Sequence, residues 1–307
     1  MADFLSSGDF GGYIRPEQAA GYFEQARRQS VVQQLARQVP LGASGVEVAV
    51  PQSKATASWV DEGGKKPTTK TEFGVKAMTP KKIAAIAVVS AEVVRANPAN
   101  YVEIFRDDVA EAMATAFDAA VLHGTNSPFG DNTISTTTKA VTLGTADAAK
   151  GGVYADLTES LNLLVKDQKK LTGFAFDSQA EPILLSSVDT VGRPLFSEAN
   201  YADSVLTQGR VIGRNAVIAD GVASDDGQTL GYAGDWSQIV WGTVGGITFD
   251  VTTEAPVTLG GQLTSLWEHN LVGIRAEAEF GVIVNDANAF VKLNAGAGEG
   301  AGEGAGE

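Results

Sequence analysis

Apolar residues recur along this chain at two periods, and one stretch sets the scale for the rest. From Asn97 to Gly124 the sequence reads NPANYVEIFRDDVAEAMATAFDAAVLHG. Val102, Phe105, Val109, Met113, Ala116 and Ala120 step by threes and fours, which predicts a long amphipathic helix. Asp107, Asp108 and Glu111 take the solvated side. Asn97 is placed to cap the first turn, Pro98 suits the first helical position, and Gly124 is a stop. His123, in the last turn, is expected to meet the negative end of the helix dipole. At 1.5 Å per residue the helix runs about 40 Å, enough to brace a whole sheet.

The second pattern has period two. In Leu271–Val284, positions 272, 274, 276, 278, 280, 282 and 284 are all apolar. Leu271, Gly273, Arg275, Glu277, Glu279 and Gly281 point the other way. This is a long strand with one buried face, and the long helix is expected to cover it. Ser237–Trp241 and Gly246–Thr253 read as further strands. Tyr154–Leu171 reads as a second helix, with Leu157, Leu161, Leu164 and Leu171 on one side and Gly173 as its stop. Phe174–Phe176 is a short strand, Ala180–Val188 a helix broken near Pro182, and Gly192–Phe196 a turn. Short alternating elements through about residue 240 predict a compact α+β lobe.

Nearer the N-terminus, Tyr13–Pro16 is extended by the residue-before-proline rule. Glu17–Gln38 is helical by composition, weakened at Gly21 and Ser30 and stopped by Pro40. Val46, Val48 and Val50 alternate up to Pro51, and the chain returns through Phe73, Val75 and Ala77. Between them lie Trp59-Val60-Asp61-Glu62 and then GGKKPTTK, residues 63–70, an irregular basic tip. A two-stranded excursion of this kind is marginal alone in water. It must rest on another surface, in this chain or in a neighbour.

Charge sharpens that reading. Residues 1–82 carry eleven Lys+Arg against eight Asp+Glu, a balance of +3; the remainder carries twelve against twenty-nine, or −17, giving −14 overall. Such a chain is a poor binder of nucleic acid backbones. A basic N-terminal third on an acidic body instead suggests attraction between copies.

Candidate chemistry is sparse. The absence of cysteine excludes disulfides and thiolate sites, and two histidines, His123 and His269, offer little to a metal centre or a Ser–His–Asp triad. No apolar run approaches a membrane span; Ile83–Val89 is the longest obvious one. Asp107–Asp108 reads as a solvated helix face, Asp225–Asp226 as a turn and His269 as a surface residue. The start, MADFLSSGDFGG, lacks the pattern of a signal peptide. The repeating Gly-Ala-Gly-Glu tail, residues 295–307, has nothing to bury and is expected to be disordered; its GxGxxG spacings follow no strand. Neither cofactor nor metal is expected, and a binding or structural protein outranks an enzyme.

The order of patches resembles the major capsid proteins of tailed bacteriophages, with the Hong Kong 97-type fold. The matching patches are Gly11–Pro16, then 51–94 with Trp59-Val60, Glu62, Phe73, Val75 and the Lys81-Lys82 pair. The long helix follows, then Gly192–Leu195, Gly234–Ser237 and Leu271–Phe280. The resemblance implies an α+β capsid fold with an N-terminal arm at 1–44 and an extended β-hairpin loop at 45–80. A peripheral domain would take 81–151 and 236–294, with its spine helix at 98–123 and a long-stranded sheet. An axial α+β domain would take 152–235. It implies a non-enzymatic subunit that self-assembles, as pentamers and hexamers, into the icosahedral head of a virion built in the host cytoplasm. That shell would enclose double-stranded DNA without reading its sequence and without a membrane. Scaffold, portal and decoration proteins are the further partners implied. Subunit contacts are expected at Trp59, Glu62, Lys65, Lys66, Lys70 and Arg275. In some members a loop lysine is joined to an asparagine with help from a glutamate; here Lys65, Lys66 or Lys70, Asn270 and Glu277 take those places. An encapsulin-like cargo compartment, a carboxylate enzyme using Glu277 and Glu279, and a Gly/Thr-rich surface adhesin are the alternatives.

Overall fold

A computed structural model describes residues 30–51, 55–66, 68–69, 73–96, 101–147, 151–186, 196–200 and 207–296. The arm before residue 30, the Asn97–Pro98 cap, Lys70, the Gly192–Leu195 turn and the tail from 297 lie outside the described residues.

The helix expected from Asn97 onward is described from Tyr101 to Leu122, 22 residues, about 33 Å long. It is α3, after the short helices α1 (Val31–Leu35) and α2 (Ala91–Ala96). Gly124 takes a φ of +75°, the left-handed conformation that ends a helix without steric cost. The buried stripe is shifted from the expected one. Val109, Met113 and Ala120 are buried, but Ala116 is exposed, and Phe117 and Asp118 are buried in its place. Alanine fits either side of a helix, so it marks a face poorly; the aromatic ring decides.

Strand β15 (Leu271–Val284) is the hub of a five-stranded sheet. Along one edge it pairs antiparallel with β4 (Lys81–Ser90) from Leu271 to Phe280. Its other edge is shared by β12 (Thr248–Thr252) and β11 (Ile239–Thr243). The two-residue β1 (Arg37–Gln38) adds parallel to β11. The expected helix through Gln38 therefore ends at Leu35, because Arg37 and Gln38 find backbone partners in the sheet. Ser30 is no weak point. It caps α1, its hydroxyl accepting from Gln33 N at 3.1 Å.

Helix α3 covers the apolar face of β15 as expected: Val109, Met113 and Phe117 share one core with Ala276, Ala278, Phe280 and Val282. Phe117 lies 5.1 Å from Phe280 and 6.1 Å from Phe129, ring to ring. Phe105, half-buried, joins Val272 and Ile274 further along. The opposite face of β15 is only partly solvated. Arg275 is exposed and Glu277 and Glu279 are half-exposed, but both ends are buried, under Leu266 at one end and under Leu41 and Met78 at the other.

A second, seven-stranded sheet carries the rest. Its order is β5 (Ala140–Thr142), β16 (Phe290–Asn294), β10 (Thr229–Gly234), β6 (Gly173–Asp177), β9 (Arg214–Ala219), β8 (Thr207–Val211) and β7 (Phe196–Asn200). Helix α4 (Gly152–Lys166) packs Leu157 and Leu164 onto it. That helix stops at Lys166, where Gln168 turns left-handed with φ +58°, and not at Gly173, which opens β6. Pro182 lies in the first turn of α5 (Glu181–Ser186), where proline is tolerated, and so does not break it. Ser237 belongs to a 3-10 turn, so β11 starts later than expected.

Candidate assembly interface

The hairpin expected at 45–80 is present. Strand β2 (Val46–Pro51) pairs antiparallel with β3 (Phe73–Met78), Val46 opposite Met78. Its root is held by contacts to the body. At the root, Met78 packs with Leu41 and Ile283, while the Lys76 ammonium donates to the carbonyls of Val284 and Asn285 at 2.9 and 3.0 Å. Two glycines make that seating fit. Gly242 and Gly281 face each other across β11 and β15. A Cβ on Gly281 would stand 2.7 Å from Met78 Cγ, and one on Gly242 would stand 2.7 Å from the Val39 carbonyl. Only the lack of side chains at this pair leaves a slot for the incoming chain.

Beyond the root the hairpin shows apolar surface to solvent. Phe73, Val75 and Val60 are exposed, and Trp59 is fully exposed. Glu62, Lys65 and Lys66 are exposed beside it. The backbone N–H of Thr56 donates to the Thr69 hydroxyl at 3.0 Å, which ties the two sides of the tip.

The arm enters the body at α1, held by a buried carboxylate from the spine. Asp118 accepts from the Ser30 hydroxyl at 2.7 Å, Val31 N at 2.7 Å and Val32 N at 3.1 Å. Burial pushes this carboxyl up to about 7, against the pull of those three donors. At the end of the same helix, His123 does not act as a cation facing the dipole. Burial holds its pKa below the ordinary value. Its Nε2 lies 3.0 Å from the Val222 carbonyl and its Nδ1 3.0 Å from the Tyr232 hydroxyl. A carbonyl only accepts, so Nε2 carries the proton and Nδ1 receives the tyrosine hydrogen bond. The side chain thus bridges the spine and the second sheet.

The residues placed by resemblance at a cross-link are separated. Asn270 sits just before β15 with φ +52°, and its amide donates to the Glu92 carboxylate. Glu277 lies along the strand, 3.4 Å from Lys82 and 3.5 Å from Arg275. Arg275 in turn pairs with Asp250 at 2.7 Å. His269 is exposed, its Nδ1 3.0 Å from the Ser265 carbonyl.

The other buried acids serve the backbone. Asp177 accepts from Val222 N and Ala223 N, and Asp156 from Gly144 N and Thr145 N. Among the described residues no group of three His, Asp or Glu side chains is arranged to hold a metal, and no helix is long and apolar enough to cross a membrane.

Residues 11–295 match the phage capsid family. The chain belongs to that family. It is 44% identical to "Probable major capsid protein gp17" of Mycobacterium phage D29, across 97% of this chain and 96% of the relative. Its identity to the protein of the same name from Mycobacterium phage L5 is 45%, across 92% and 90%. Among solved structures it is similar to one from Gordonia phage Cozz, with a TM-score of 0.68 at 25% identity, covering 88% of this chain and 87% of that one. The capsid of an empty GTA particle shares the fold, with a TM-score of 0.62 at 17% identity and 94% of each chain covered. The α+β fold is accordingly of the Hong Kong 97 type.

Proposed function

We infer that this chain is the major capsid protein of a phage virion, a structural subunit that self-assembles into the icosahedral head shell around a double-stranded DNA genome. The observation that carries this is near end-to-end identity of 44–45% to phage major capsid proteins. It favours a head shell over a cargo compartment. The hairpin supports it physically: an apolar, fully solvated end on a firmly seated root is a surface waiting for a partner. Trp59, Glu62, Lys65 and Lys66 belong to that surface in this reading, with Arg275 on the receiving body. The five-stranded sheet and the spine form the peripheral domain. The seven-stranded sheet is the axial domain, into which β5 and β16 are drawn from the flanking segments. Pentamers and hexamers, host cytoplasmic assembly, and scaffold, portal and decoration partners complete the proposal.

Sedimentation in native buffer tests it. Closed shells or capsomers are expected, and a monomer at every salt and protein concentration would overturn the reading. Replacing residues 63–70 by a short turn is expected to leave the subunit folded and to lower assembly at least tenfold.

Covalent joining of subunits is the finer part of the proposal. A deprotonated Lys65, Lys66 or Lys70 amine of one copy would attack the Asn270 carboxamide of another and release ammonia. The Glu92 carboxylate already touches that amide, and Glu277 is occupied by two cations. Glu92 is therefore the better placed base. Shells boiled in detergent should run as a ladder that Asn270→Ala abolishes; a single band at 31.9 kDa rejects the bond.

A further inference from the structure

Between the C-terminal half of α3 and the β4–β15 edge lies a groove of about 380 Å³. Ile83, Phe129, Phe280 and Ala116 line it, and Lys81, which lies opposite Phe280 and so on the same face of the sheet, gives it a cationic rim. Lys82 turns to the opposite face of the sheet, where Glu277 and Glu279 engage it, whereas Lys81 has no ion-pair partner among the described residues. An apolar floor beneath a cationic rim suits an aromatic side chain followed by acids. The tip supplies that pattern in Trp59-Val60-Asp61-Glu62, with Trp59 fully exposed.

We propose that this groove receives Trp59 of a second copy, with Asp61 and Glu62 of that copy meeting Lys81. The proposal rests on the shell reading and names the contact within it. The same copy is not the donor, since its own Trp59 is fully exposed. The groove starts at Lys81, three residues past the hairpin root at Met78, and β3 runs from that root toward Phe73 and the tip. Five strand residues at about 3.4 Å each carry Phe73 about 17 Å from that root. Charge selects the order of approach. The acids precede the lysines of the tip, so once Asp61 and Glu62 reach Lys81, Lys65 and Lys66 are carried past the rim, toward the more acidic body. Trp267 is also exposed, but it sits on the body at the entrance to β15 and has no reach. Burying an indole that the subunit leaves in water gives the contact its drive, and the lysine rim gives it register.

The absence of cysteine makes the contact testable in whole shells. Val60→Cys combined with Ala116→Cys, both at exposed positions, is treated with a short thiol-to-thiol linker after assembly. A ladder of linked chains is expected from the double variant and none from either single one. Trp59→Ala should fold as the parent by circular dichroism yet need at least tenfold more protein to assemble. Lys81→Glu should show the same loss, and adding Asp61→Lys should restore assembly. Shells that form normally without links, and with Trp59→Ala at the parent concentration, overturn the docking and leave the capsid reading standing. A parent chain that never assembles overturns both.

Discussion

Phe117→Ala is expected to lower the folding stability of the subunit by about 4 kcal/mol. The ring is 3% exposed and stands where three elements meet. It lies 5.1 Å from Phe280 of β15, 6.1 Å edge-on to Phe129 and 6.2 Å from Trp241 of β11. Truncation removes most of the apolar contact between the spine and the five-stranded sheet at that level, and leaves a cavity that three rings cannot close by small shifts. Phe117→Leu fills much of that space and should cost about 1–1.5 kcal/mol. Urea unfolding of the unassembled subunit measures both. Equal and small losses in the two variants would show that the ring is not central to the core.

The second large effect belongs to Asp118, and it depends on pH. Asp118→Ala withdraws three acceptor contacts from Ser30, Val31 and Val32. It strands buried donors at the start of α1, which costs about 2–4 kcal/mol. The arm root should loosen first, seen as faster amide exchange at Val31 and Val32. The carboxyl is raised from 3.8 to about 7, so the folded chain keeps a proton that the unfolded chain releases. Its contribution to stability is present in full below about pH 4 and is lost as pH rises through about 7, a span on the order of 4 kcal/mol. The thermal midpoint should therefore fall from pH 5 to pH 8, and Asp118→Asn should flatten that slope. Asp118→Ala should cost more at pH 5 than at pH 8. A parent slope unchanged in Asp118→Asn would assign the pH dependence to other groups.

Much of the fold was legible because it is local. The spine announced itself through its three-four spacing and Gly124, and β15 through fourteen residues of strict alternation. The β2–β3 hairpin read correctly from its valines, and the resemblance placed the parts in the right family. Strand β10, TLGYAG, is buried throughout yet did not read as a strand. Its glycines are there for neighbours far away in sequence: a Cβ on Gly231 would stand 2.3 Å from the Ala175 carbonyl, and one on Gly234 would stand 2.3 Å from the Phe290 ring. A residue chosen to let another chain segment approach carries no periodicity.

The candidate interface divides along the same line. The tip's chemistry, Trp59 followed by acids and then lysines, is written in consecutive residues and needed no structure to be seen. What receives it is not. The groove joins residues from positions 81–83, 116–120, 125–129 and 280, and Asp118 meets its partners across 86 to 88 positions. Sequence determined the spine, strand β15, the hairpin and the uneven charge, since each follows from neighbours within a few turns or strand residues. Tertiary structure alone decided that Phe117 rather than Ala116 faces the core, and that Gly242 and Gly281 seat the hairpin. It also made a helix-face aspartate the clamp of the arm, because burial and hydrogen-bond partners at long range are set by packing and not by pattern.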